Sequence, residues 1–195
     1  MGTIFSISFL VIFLLLISVL PVLVSSYETN IQKATEYLQQ GKFNEAILEL
    51  ENALMLIRQN AKLEFNKVQF VSEEPQGYGI YYPRDNNIFS FGETIYIYGE
   101  PENYTIKEIE NGIFEIYLTE DLYILDKENK VLFGQIDFGE FHYLTRSPVQ
   151  DMMFYNTVTQ DPATAFPPGE YKLRLVLKDI PSQRMVEALL DFEIK

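Results

Sequence analysis

The chain has no cysteine and no tryptophan, and its 195 residues hold a single histidine, His142. Without cysteine there is no disulfide framework, no thiol nucleophile and no thiolate metal site. A zinc site built from imidazoles, or a Ser/His triad, has to rest on the one ring of His142. Positive charge is scarce as well: 15 Lys+Arg stand against 28 Asp+Glu, a net charge of −13. No charged side chain precedes Glu28, so the imbalance falls on residues 28–195. A body that acidic repels phosphate backbones, which argues against nucleic acid as a partner. Anionic membrane surfaces are disfavoured for the same reason. Also missing are a glycine-rich phosphate loop, a Gly-x-Ser-x-Gly elbow and a His-Glu-x-x-His helix. The chain is therefore read as non-enzymatic, with no catalytic residue, no metal site and no cofactor expected.

What is present begins with an apolar run, residues 4–24, IFSISFLVIFLLLISVLPVLV. About 20 uncharged residues suffice to span a hydrocarbon core. Two readings stand side by side. In one, residues 1–26 are a signal peptide, with Val24 and Ser26 as small residues before a cut at Tyr27 and Pro21 breaking the helix ahead of it. In the other they are an uncleaved anchor, since signal cores usually run only about 7–15 residues. Both readings expect attachment to, or passage through, a membrane by residues 4–24, and an extracytoplasmic body. Basic residues ordinarily stay in the cytoplasm, yet Lys33 and Lys42 come after the run, which pulls against that orientation.

Residues 27–62 change character. Ile31, Ala34, Tyr37 and Leu38 fall at helical spacing, and Phe43, Ala46, Ile47, Leu50, Ala53, Leu54 and Ile57 resume the period after Gly41. A glycine between two short polar flanks is a helix stop, so the pair is expected to fold as an antiparallel helical hairpin. Ala34, Tyr37, Gly41, Phe43, Ala46, Ile47, Leu50, Ala53 and Leu54 resemble one tetratricopeptide repeat in their spacing of small and large residues. The resemblance covers about 30 residues and has no second copy, whereas arrays need about three. It implies an apolar face left to be covered, by a protein partner or by self-association.

From residue 63 to 195 the helical period disappears. Short apolar runs are expected as strands at Leu63–Val71, Thr94–Tyr98, Ile113–Leu118 continuing to Leu125, Val131–Phe138, Met152–Thr159, Tyr171–Leu177 and Val186–Ile194. Turn residues separate them. Tyr171, Leu173, Leu175 and Leu177 alternate with Lys172, Arg174, Val176 and Lys178, the pattern of a strand with one wet face. Phe89-Ser90-Phe91-Gly92-Glu93-Thr94-Ile95-Tyr96-Ile97-Tyr98 and the stretch Pro167-Pro168-Gly169-Glu170-Tyr171 through Asp179 and Ser182, closed by Phe192-Glu193-Ile194, resemble Ig-like domains of exported bacterial and archaeal proteins. That resemblance implies a mainly β chain, an Ig-like antiparallel β-sandwich behind an apolar segment and a helical hairpin. It implies no activity.

Few residues invite chemistry. Tyr78, Tyr81 and Tyr82, near Arg84, form a polar-aromatic cluster able to hold a sugar or a partner side chain. Burial of the same rings in a β core is the commoner fate. Asn103-Tyr104-Thr105 is an N-glycosylation sequon beside an expected turn. Asp137 and Glu140 near His142 have the residue types of a glycosidase carboxylate pair, though with 28 acids such neighbours arise by chance. Glu93, Glu100 and Glu102 flank one strand but lack the oxygen-rich series of a Ca²⁺ loop. The expected function is a non-catalytic interaction or structural role in the cell envelope. The alternative is a glycan-binding or glycan-active module using aromatic and acidic loop residues.

Overall fold

A computed structural model describes residues 20–159 and 166–195. The chain divides into two units, Met1–Asn60 and Ala61–Lys195.

Among the described residues the first unit holds a pair of helices, α1 (Leu20–Gln39) and α2 (Phe43–Asn60). Gly41 makes the stop. Its φ is 72°, its N–H bonds the Leu38 carbonyl at 3.1 Å, and the next N–H, from Lys42, reaches back to the Tyr37 carbonyl at 2.9 Å. This double return is a Schellman motif, which needs a residue tolerant of the left-handed region. Ala34, Ala46 and Ala53 are almost fully buried, so small side chains set how closely the helices approach. Lys33 and Glu49 add a cross-helix pair at 3.9 Å. Phe43, Ile47, Leu50, Leu54 and Ile57 remain exposed along α2.

Two sequence expectations change here. The helix α1 includes Pro21 and runs on through Ser26, so the break expected at Pro21 is not found. Among the described residues, moreover, no helix is long and apolar enough to cross a membrane. This corrects the membrane attachment expected through residues 4–24. Leu20–Val24, the described part of that run, belongs to α1, and α1 goes on to carry Glu28, Lys33 and Glu36. Each charge at the centre of a spanning helix costs about 3 kcal/mol. Residues 4–19 lie outside the described residues.

Among the described residues the second unit holds nine strands, antiparallel but for one short pair. Three form one sheet in the order β1 (Glu64–Val71), β3 (Ile95–Glu102), β7 (Phe154–Val158). The other sheet holds β2 (Ile88–Phe89), β4 (Lys107–Glu110), β5 (Ile113–Asp126), β6 (Val131–Thr145), β8 (Gly169–Asp179) and β9 (Arg184–Ile194). Its axis is β5. On one edge β5 pairs with β8 and, near its start, with β4; on the other it pairs with β6. Strands β8 and β9 form an eleven-pair hairpin, and β2 adds a two-residue parallel pair to β9.

Among the described residues the chain is thus mainly β, with two helices and curled antiparallel sheets. In β8 the alternation works as expected, with Tyr171, Leu173, Leu175 and Leu177 inward. The inner faces meet through aromatic rings. Phe70, Phe89 and Phe192 lie edge to face with centroids 5.2–6.0 Å apart, and Phe154 packs against Phe141 at 5.6 Å. Phe154 also fills the space over Gly99, where an added Cβ would collide with its ring.

Candidate functional site

The tyrosine cluster chosen from the sequence lies in the segment between β1 and β2, and the structure splits it. Tyr81 turns inward and lies on the buried Tyr98 ring, centroids 4.3 Å apart. The Tyr81 hydroxyl accepts from Lys67 Nζ at 2.6 Å, which raises the Lys67 pKa. Tyr98 donates to Glu100 Oε1 at 2.6 Å and accepts from the Gly79 N–H at 2.8 Å. Burial first, then its bond to Glu100, pushes the Tyr98 hydroxyl far up. Asn66 donates to the other Glu100 oxygen at 2.9 Å. Arg84 stands apart from the tyrosines. It pairs with Glu93 at 2.7 Å, donates to the Ile88 carbonyl at 2.6 Å and sits 4.1 Å above the Phe89 ring. Of the cluster, Tyr78 and Tyr82 present rings to solvent, together with Tyr155, whose hydroxyl donates to Glu74. Tyr81 and Arg84 therefore strap the segment to the β body, each through a different partner.

Several of the remaining candidates also have partners within the fold. Asn103, at φ 60°, is half-buried, and its amide donates to the Lys62 carbonyl at 3.1 Å. Thr105, the third residue of the sequon, is buried; its N–H and hydroxyl both donate to Asp179 Oδ2, at 2.9 and 2.8 Å. Arg184 completes that knot, reaching Asp179 Oδ2 at 2.9 Å and the carbonyls of Ala61 and Asn103. His142 stacks on Tyr117 with centroids 4.5 Å apart and lies 2.9 Å from Glu115 Oε1. The Tyr117 hydroxyl bonds Glu140, which raises its pKa. Asp137, at φ 52°, lies 3.7 Å from Lys178, which is held at 2.7 Å by Asp121. Burial works to raise the Asp121 pKa, but its bonds from Lys178 and the Asp137 N–H win and lower it. Glu93 and Glu100 go to different partners, and among the described residues no three acidic or imidazole groups are arranged to hold a metal ion.

Glu120, which the sequence did not single out, is the exception. It is fully buried and crosses from β5 toward β7, where Asn156 Nδ2 donates to its Oε1 at 2.7 Å. Its Oε2 has no hydrogen-bond partner among the described residues. Burial pushes its pKa up to about 8. No sequence signal marks it, because Thr119-Glu120-Asp121 reads as a polar turn inside an apolar run.

The surface that sequence reasoning missed is β6. It pairs with β5 alone, so among the described residues its outer edge carries unpaired N–H and C=O groups. Val131, Leu132, Phe133, Ile136, Tyr143 and Leu144 are exposed along it, Ile136 and Leu144 at 66% and 65%. A depression of about 350 Å³ adjoins its end, lined by Ile116, Tyr143, Leu144, Met152 and Met153 among others. A bulge between the Glu120 and Leu122 pairings, with Asp137 at φ 52°, divides the strand. The signal was available. Apolar residues at both odd and even positions of 131–144 do not alternate, and such a strand has neither face reserved for a core. A larger cleft of about 460 Å³, lined by Asn87, Lys127, Glu170, Lys172 and Asp191 among others, lies beside β8 and β9 and involves none of these residues.

Comparison with family models and with curated proteins finds no match. Among solved structures, the chain is similar to the C-terminal domain of wzt at 9% identity and a TM-score of 0.42, covering 69% of this chain and 74% of that one. It is similar to the Pseudomonas fluorescens alkylpurine DNA glycosylase AlkC at 10% identity and 0.38, covering 81% and 40%. Bacteroides uniformis β-glucuronidase is similar at 14% identity and 0.32, covering 67% and 13%. Likenesses this remote carry no assignment of fold family or function.

Proposed function

We propose that this chain is a non-catalytic interaction protein whose β body binds a protein partner along β6. The observation that carries the reading is the contrast on the β body's surface. Glu100, Thr105 and Asp179 are drawn into internal networks, while β6 offers an open strand edge lined with exposed apolar side chains. An open edge accepts an extended segment by main-chain pairing, and side chains on either side of it set specificity. The depression beside Leu144 gives one partner side chain a seat. Exposed apolar patches of this kind mark contact surfaces.

The finer architecture is proposed to be an Ig-like sandwich, supported by the Gly92-Glu93 turn into β3 and the Tyr171 hydroxyl returning to the Pro167 carbonyl. The place of work is proposed to be outside the cytoplasm, supported by the uncharged run of residues 4–24. Mass spectrometry of the mature N-terminus checks this: a chain beginning at Tyr27 supports export, and an intact Met1 in the cytosolic fraction contradicts it.

Binding is tested with Ile136→Lys and Leu144→Lys. Both side chains are exposed, so each variant is expected to melt within about 2 °C of the wild type. A protein that co-purifies with the wild-type chain from its native source is expected to be lost from both variants. Unchanged co-purification would exclude β6 as the binding surface.

A second reading rests on the exposed rings of Tyr82 and Tyr155, on which a saccharide can stack. A glycan array decides it. Signal lost in Tyr82→Ala supports the reading, and silence across the array removes it.

A further inference from the structure

Glu120 and Asn156 form a buried polar tie across the seam between the two sheets. Glu120 pairs with Leu177 of β8 on one side and Gly139 of β6 on the other. It leaves its own sheet to meet Asn156, which pairs with Ile97 of β3. The strands around it thus present Leu177, Gly139 and Ile97, and no cation. Two other carboxylates are near in the fold. Asp121 is its chain neighbour, turned to the opposite face toward Lys178 and Asp137. Asp179 shares the inner row of β8, one inward position beyond Leu177, but is held by Arg184 and Thr105. An ionised Glu120 would therefore sit in the interior with one amide donor and no counter-charge, a costly arrangement. The neutral acid escapes that cost.

We propose that Glu120 is a proton-controlled latch between the sheets. Protonated, it ties β5 to β7 through Asn156; ionised, it seeks water and releases β7. The released strand is suited to that role. Strand β7 is five residues long and, among the described residues, an edge of its sheet, paired with β3 alone. Gly139, opposite Glu120, adjoins the β6 bulge, so the opening falls where the larger sheet is already irregular. This inference is independent of β6 being a binding surface.

The test is hydrogen exchange of the Phe154–Val158 amides in the full chain at pH 6 and pH 9, corrected for intrinsic rates. Wild type is expected to lose at least about tenfold protection in β7 at the higher pH, the equivalent of one pH unit of linkage. Glu120→Gln, which keeps the acceptor for Asn156, is expected to show no such loss. Equal behaviour of the two proteins overturns the latch. A second measurement needs no variant: the Glu120 side-chain carboxyl carbon, followed by NMR in the wild type. Titration near pH 8 supports the proposal, and titration in the ordinary carboxylate range, below about pH 6, overturns it.

Discussion

Single residues hold most of the β body's polar organisation. Arg184 joins Asp179, Thr105 and the carbonyls of Ala61 and Asn103, and Asp179 is fully buried. Removing the cation strands a buried charge, so Arg184→Ala is expected to cost about 3–5 kcal/mol in urea unfolding. Exposed Lys127, 3.9 Å from Glu128, is the control, and its alanine variant is expected to fall within about 0.5 kcal/mol of wild type. Gly99 is a steric counterpart. A Cβ there runs into the Phe154 ring, so Gly99→Ala is expected to destabilise by about 1–3 kcal/mol, and Phe154→Leu in the same chain to recover part of it. Glu120 gives the pH dependence its sign. Its carboxyl is raised from the ordinary 4.5 to about 8. Its contribution is thus fully present below pH 4.5 and is lost as pH rises through about 8, on the order of 5 kcal/mol across the window. Asp121 runs the other way: its lowered pKa stabilises the fold above the ordinary carboxylate range, and acid removes that contribution. Thermal melts across pH, with Glu120→Gln and Asp121→Asn beside wild type, separate the two limbs.

At the scale of elements, the periodic segments were legible. Gly41 marked the hairpin turn, the alternation of β8 marked its inner face, and β1 begins at Glu64, one residue inside its expected start. The misses have physical reasons. Strands β2 and β4 are two and four residues long, too short to show a period, and exist because β9 and β5 offer them an edge. Expected to stop at Phe138, β6 continues to Thr145, because β5 is long enough to keep pairing past the bulge. Of the candidate site, the tyrosines were legible as residues but not as a place, since Tyr81 and Arg84 are turned to different partners outside their own segment, Tyr98 and Glu93. In the helical unit the small residues are the sensitive ones. Ala46→Leu is expected to force the helices apart and lower the far-ultraviolet helical signal on heating, whereas Leu54→Ala, at a half-exposed site, is expected to be much milder.

For the whole molecule, charge and topology set the behaviour. A net charge of −13 adds self-repulsion, so moderate salt is expected to raise the melting temperature at pH 8 rather than lower it. The two units, a helical hairpin and a β body, divide the surface into different chemistries, and the proposed binding surface lies on β6 of the β body. The most direct test of that placement is a photo-crosslinking residue introduced in the native cell at Leu144, and separately at Met185 on β9, which is equally exposed. A discrete protein adduct is expected from position 144 and none from position 185. Adducts of the same protein from both positions, or from 185 alone, would contradict binding along β6.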